Sequence, residues 1–312
     1  MTAYDYEIGY GKYHVPVYRT HARPLEGVRP IPESPFTGRT NTVFAFEVDV
    51  EVLGSRFLPA FTHGDNSLVV ATDSMKNFVL RESLAYDGAT HEGLLWFLGD
   101  GFLQRYEQME ALRLTCRELP FVAARAPGAD AGNFTSSEVL FDRGHDDYTT
   151  ATLEMTRDGE EPVVTGHRCG RAGLQLMKTT GSAFTSFVRD GYTTLPDRRD
   201  RPLFIYLDLA WRYADASEML AADPSRYVPA EQVSDLARTV FHQFVSESIQ
   251  HLVHEIGRRV LDRFPQLATI SFDAQNRTRD PFHESDTDSR VTVYSDPFPA
   301  YGGITLTMRR RG

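Results

Sequence analysis

The sequence has little of what would place it outside a reducing compartment or inside a membrane. Only two cysteines, Cys116 and Cys169, occur in 312 residues. That is too few for a disulfide framework and fits reduced thiols in a cytoplasmic chain. Long apolar runs are missing as well. The most hydrophobic helical stretch, "GLLWFLGDGFL", is too short to span a bilayer and carries Asp100 inside it. The opening "MTAYDYEIGY" has neither the basic flank nor the apolar run of an export signal. Positive charge is in deficit: 33 Lys and Arg against 43 Asp and Glu give a net charge of −10. That balance disfavours nonspecific nucleic-acid binding, and the short basic tail "MRRRG" reads as a solvated terminus.

The common catalytic vocabularies are absent too. There is no P-loop, no strand-anchored GxGxxG and no G-x-S-x-G elbow, and "GYG" near the start lies inside a strand pattern. His251 and His254 stand one helical turn apart, but no nearby Cys or second His pair completes a metal site. "HESDTDSR" is acidic yet lacks the spacing and turn glycine of a calcium loop.

What is present is a soluble core-forming pattern, 41% hydrophobic, that needs no staples. "EIGYGKYHVPVYR" alternates, placing Tyr10, Lys12 and His14 on one strand face and Tyr13, Val15 and Val17 on the other. "NTVFAFEVDVEV" alternates again, with Phe44, Phe46, Val48, Val50 and Val52 opposite Glu47, Asp49 and Glu51. The two should pair as a hairpin across the Pro/Gly-rich loop 22–40. "VVA" reads as a strand ending at Thr72. A helix follows from about Thr90 to Glu107, then strands in "ALRLTCREL", "SSEVLFDR" and "TTATLEMTR".

The layout then recurs. "GLQLMKTTGSAFTSF" resembles "SLVVATDSMKNFVL", an apolar strand entering a Thr-containing polar segment and then aromatics. "RPLFIYLDLAWRY" is a strand, residues 230–264 are helical with a break and fresh N-cap at "SESIQ", and "LATISFD" is a closing strand. Two similar α+β units in tandem are expected, 1–146 and 147–312, each an antiparallel sheet with helices packed on one face.

Four segments, "GYGK", "VVATDSMKN", "FVRDGYTTLPDRRDR" and the stretch from "SIQ" to "AQN", resemble the urate oxidase (uricase) family over most of the chain. The resemblance implies tandem T-fold (tunnelling fold) units that assemble into a barrel as a homotetramer, with sites at subunit interfaces. It implies oxidation of urate by O2 and water to 5-hydroxyisourate and hydrogen peroxide, without a cofactor. Lys12 and Thr72 become the catalytic dyad, and Asp73 offers a backbone N–H to the substrate. Phe184 stacks on the purine, Arg201 grips the pyrimidine-ring edge, and Ile249 and Gln250 hold that same edge. Asn276 lies over the ring at the oxygen and water site. Thr278 stands where many members carry a histidine, so it becomes a possible relay residue. That departure keeps a non-catalytic purine-binding T-fold paralogue as the alternative.

Taken singly, each residue has a plainer reading. Lys12 alone is a solvated charge, Thr72 and Asp73 a cap or turn, Phe184 core, Arg201 part of a solvated loop, Gln250 a helix start and Asn276 a turn former. Together their chemistry suits urate. A glutamine amide matches alternating C=O and N–H groups, an arginine fork meets anionic oxygens, and an aromatic ring fixes the plane. An electron-rich urate dianion can itself reduce oxygen, so the protein has only to bind, deprotonate and orient it. The absence of a peroxisomal Ser-Lys-Leu ending favours a cytoplasmic location.

Overall fold

The computed structural model describes residues 4–128, 132–144, 146–159, 161–277, 279–288, 290–296 and 299–311. The chain divides into two compact units. Unit 1 comprises Met1–Arg29, Thr37–Cys169 and Asp215–Tyr227, and unit 2 comprises Pro30–Phe36, Gly170–Ala214 and Val228–Gly312.

Unit 1 is built on β1 (Gly9–Thr20), β2 (Val43–Leu53), β3 (Ala111–Glu118), β4 (Val122–Pro127), β5 (Phe134–Asp142), β6 (Tyr148–Asp158) and the first part of β7 (Glu161–Lys178). The order is β1-β2-β3-β6-β7, with β4 and β5 as a separate pair. The expected β1–β2 antiparallel pairing is present. Its helices are α1 (Leu58–His63), α2 (Thr72–Ala85), α3 (His91–Arg105) and the short α4 (Ser217–Leu220). Thr90 caps α3 by accepting the Gly93 N–H at 3.1 Å. Leu94, Leu95, Leu98 and Phe102 follow at spacings of one, three and four and are fully buried. Each contributes at most about 1.5–3 kcal/mol by leaving water. They cover the sheet face made by Val48, Val50, Leu114, Leu153 and Met155. The opposite face carries a charge ladder, Glu51 to Arg113 at 2.9 Å and Arg113 to Glu154 at 3.0 Å.

Unit 2 repeats this arrangement. Strands β8 (Leu203–Tyr213), β9 (Leu267–Asn276), β10 (Pro281–Glu284), β11 (Thr292–Tyr294) and β12 (Gly302–Arg309) follow the second part of β7. The sheet order is β7-β8-β9-β12, and β10 pairs with β11. Helices α5 (Ala230–Gln243) and α6 (Ile249–Arg263) are separated where the sequence predicts, and Ser248 is the N-cap of α6. Val233, Leu236, Val240, Leu252, Ile256 and Val260 are buried. Among the described residues no helix is long and apolar enough to cross a membrane.

A glycine in the sheet-facing helix sets the approach distance in each unit. A Cβ on Gly99 of α3 would lie 2.3 Å from the Met155 sulfur, and one on Gly257 of α6 would lie 2.5 Å from the Met308 sulfur. Gly99→Val and Gly257→Val should therefore each destabilise by about 1–3 kcal/mol through overpacking. A fall in thermal midpoint for both, checked by calorimetry, is the expected result.

Candidate active site

The unit 1 cluster begins with a break in the β1 pairing. Tyr10 pairs with Val52 and Lys12 with Val50, but the next pair is Val15 with Val48. Two residues, Tyr13 and His14, thus oppose the single Asp49, which makes a β-bulge. His14 takes a left-handed conformation, φ 55°. Because strand side chains alternate, the extra residue puts Lys12 on the same face as Val15 and Val17. That is the helix-covered face of Val48 and Val50. The sequence expectation that Lys12 and Val15 point to opposite faces is corrected here, and the bulge is the cause. Gly11 is required just before it, since a Cβ there would meet the Val50 carbonyl oxygen at 2.0 Å.

Thr72 is not the end of a strand. It is the first residue of α2, with Ala71 in the N-cap position. Backbone donors that a strand would offer a neighbouring strand are spent on a turn and on a side chain of β1. The Val69 N–H donates to the Asn66 carbonyl at 3.0 Å, and the Val70 N–H to the Tyr10 hydroxyl at 3.1 Å. Tyr10 lies two residues from Lys12 on the same face, so this bond ties the start of α2 to the lysine's strand. No side chain caps α2. The N–H groups of its first turn, at Thr72 and Asp73, have no partner within the helix. Thr72 and Lys12 are half-buried and Asp73 is exposed. The Asp73 carboxylate bonds Lys76 at 2.6 Å and Asn77 at 3.0 Å. Lys76 first, with a further contribution from Lys12, holds it below the usual carboxylate range. Lys12 is thus within electrostatic reach of the Asp73 carboxylate.

The unit 2 cluster forms where the chain leaves β7. The Asp200 carboxylate accepts from the Thr180 hydroxyl at 2.6 Å and the Gly181 N–H at 2.7 Å. Those bonds, the threonine's foremost, keep it below its ordinary pKa. Phe184 and Arg198 exchange backbone hydrogen bonds of 2.7 and 3.0 Å, and the Arg201 N–H donates to the Ser182 carbonyl at 2.9 Å. On the other side, the Ala183 N–H donates to the Ser246 carbonyl at 2.8 Å. Ser246 lies just before α6, whose first residues are Ile249, buried, and Gln250, exposed. This stitching brings Phe184 and Arg201 together and holds their segment against the stretch that leads into α6. The Arg201 guanidinium lies 5.4 Å from the Phe184 ring centroid. Burial first, then the charge of Arg198, lowers its pKa. Its Nε is buried with no hydrogen-bond partner.

Asn276 ends β9 in register with Ile205 of β8 and Gly302 of β12, and is half-buried. Thr278 lies outside the described residues. His251 packs edge-on to Phe244 at 4.7 Å, and its Nδ1 accepts the Glu247 N–H at 3.4 Å. Among the described residues, no group of three or more His, Cys, Asp or Glu is arranged to hold a metal ion. Sequence reasoning passed over Tyr10, Asp200 and Phe187, which stacks on Phe184 at 5.0 Å and 12°. Tyr10 adjoins "GK", Asp200 lies within "DRRDR", and Phe187 opens "FVRDGYTTL".

A half-buried arginine with a spare donor beside a phenylalanine ring, flanked by a helix N-terminus, can hold a flat anion with ring carbonyls. In the other unit, a half-buried lysine near an uncapped helix start can accept or return a proton. The chain is thus an α+β protein with one cluster suited to a planar anion and another suited to proton transfer. The family model described as uricase matches residues 167–300. A uricase from Haloferax volcanii is 47% identical over 98% of both chains. The "Uric acid degradation bifunctional protein PucL" of Bacillus subtilis is 45% identical over 97% of this chain, which spans 61% of that longer protein. The crystal structure of urate oxidase from Bacillus sp. TB-90 superposes with TM-score 0.93 at 44% identity, covering 97% of this chain and all of that one. The chain belongs to the uricase family.

The N-cap of α6 sets where Ile249 and Gln250 begin. The Ser248 hydroxyl accepts the His251 N–H at 3.1 Å. Ser248→Ala should weaken that end of α6 by about 1 kcal/mol. Faster amide exchange at Gln250 and His251, with the centre of α6 unchanged, is the expected reading.

Proposed function

We infer that the chain is a urate oxidase of uric acid degradation. It converts urate, O2 and water to 5-hydroxyisourate and hydrogen peroxide. The observation that carries this reading is the 47% identity to a uricase along 98% of both chains. Urate loses two electrons and gains the water oxygen, while O2 takes two electrons and two protons to become peroxide. No cofactor is needed, because the urate dianion supplies the electrons.

Arg201, with its spare buried donor, meets the anionic oxygens of the pyrimidine edge. Gln250 and the Ile249 N–H complete that edge, and Phe184, backed by Phe187, sets the ring plane. Thr72 and Lys12 take up the proton that leaves the substrate, with the Asp73 N–H as a further donor to the ring. Asn276 holds oxygen or water over the plane. Thr278 is the relay candidate that stands in place of the family's frequent histidine.

The active form is a homotetramer of tandem T-fold units, 1–146 and 147–312, closed into a barrel. Each site joins the Lys12 and Thr72 cluster of one subunit to the Phe184, Arg201 and Gln250 cluster of another. Two apolar side chains support this. Val188 and Tyr192, on the segment between Phe184 and Arg201, are 89% and 94% exposed in the single chain. The location is cytoplasmic, in keeping with free, buried Cys116 and Cys169.

Chelator-treated protein should consume urate and O2 and release peroxide in equal amounts. Urate binding without oxygen uptake would point to a non-catalytic purine binder instead. Lys12→Met and Thr72→Ala should lower kcat by about 10²-fold or more and change urate affinity less, as expected for proton transfer. Arg201→Ala removes a charge-assisted bond of about 1.5–3 kcal/mol and should chiefly weaken binding. Equal losses of affinity in all three would contradict separate roles.

A further inference from the structure

Asp49 belongs to no part of the binding or proton-transfer machinery described above. It lies on β2, on the sheet face opposite Lys12, and is 9% exposed. Its Oδ1 accepts the His14 N–H at 2.7 Å, and its Oδ2 accepts from the Arg117 guanidinium. Burial pushes the Asp49 carboxyl up, but Arg117 and the His14 N–H outweigh it and leave it below the usual carboxylate range.

The bulge needs such an anchor. His14 is a non-glycine residue in the left-handed region, and the extra residue takes its N–H out of the regular ladder. The His14 ring adds only an exposed contact with Glu47 at 3.3 Å. Beyond the bulge, β1 runs only from Lys12 back to Gly9 before pairing ends. That segment reads Gly-Tyr-Gly-Lys, and a glycine-rich strand specifies its own register weakly. The Tyr10 hydroxyl bonded to the Val70 N–H and the Asp49 anchor at the bulge hold it together. If it slips by one residue into regular pairing, Lys12 turns to the open, charge-bearing face and leaves the first turn of α2.

We propose that Asp49 is a positioning residue for urate oxidation: by fixing the bulge at Tyr13 and His14 it keeps Lys12 on the helix-covered face beside Thr72. Arg117 keeps the Asp49 carboxylate ionised and aimed. The proposal rests on the reading of Lys12 and Thr72 as the proton-transfer pair.

The test compares steady-state kinetics of the assembled enzyme and four variants. Asp49→Val and Asp49→Ala remove the acceptor, Asp49→Asn keeps an oxygen for the His14 N–H, and Lys12→Met is the reference. The acceptor-free variants are expected to lose at least about tenfold in kcat with KM within about twofold, and Asp49→Asn to recover most of that loss. A kcat within about twofold of the unaltered enzyme in Asp49→Val or Asp49→Ala would overturn the proposal. So would a loss confined to KM, or an Asp49→Asn variant as slow as the others. Should neither acceptor-free variant assemble, Asp49→Asn decides alone: retained kcat supports the anchor and a large loss overturns it. Unchanged turnover in Lys12→Met would instead remove the pair reading on which the proposal rests.

Discussion

The strict period of two in a β-strand governs which side chains this molecule places on each face of its sheet. A side chain on a strand belongs to one face or the other, and one inserted residue exchanges the faces for everything on one side of it. In β1 that residue lies between Lys12 and Val15. The same strand therefore buries Val15 and Val17 under the helices and delivers a lysine to that side, next to the α2 N-terminus. The open face keeps the acidic row of β2 and its arginine partners. Placing a cation among helix-covered side chains is expensive unless a partner waits there. The Asp73 carboxylate in the first turn of α2 supplies opposite charge at that point, while the positive end of the helix dipole favours the neutral amine.

Unit 2 solves a similar problem with other means. Its polar groups come from a folded-back segment that Asp200 and Ser246 hold from two sides. Arg201 ends partly desolvated over an aromatic ring, with one donor unspent. In both units the proposed ligand-facing residues include the first turn of a helix, Thr72 and Asp73 in one, Ile249 and Gln250 in the other. A chain of net charge −10 can thereby offer an anion two locally favourable positions, because short-range donors outweigh a screened net charge.

Much of the fold was legible where one local signal was strong. The α3 stripe, the Ser248 cap and the alternation in β2 depend on nearby residues, and the structure agrees with each. The start of α2 was not legible, because Val69 and Val70 look like a strand until their N–H groups find Asn66 and Tyr10. Nor was the face of Lys12, since the bulge depends on Asp49, 35 residues away from His14. Strand β12 and the pair β10 and β11 also escaped notice. β10 and β11 are short, exposed and mixed in sequence. β12 does alternate, Ile304, Leu306 and Met308 against Thr305, Thr307 and Arg309. The basic end read as a solvated terminus is tied down instead, with the Arg310 N–H donating to the Ala268 carbonyl at 2.9 Å. For the site, family resemblance gathered the residues that composition could not. Only the structure shows how Phe184 and Arg201 come to lie together, and that Arg201 has a donor to spare.

The two clusters lie in different units of the chain, and the proposed urate oxidase joins them across subunits. Co-expression of Lys12→Met with Arg201→Ala tests this directly. If each site draws Lys12 from one subunit and Arg201 from another, mixed assemblies contain some sites with both residues intact. Urate turnover should then rise well above that of either variant alone. Mixed assemblies no more active than the separate variants would contradict a shared site and place both clusters within one subunit's own active centre.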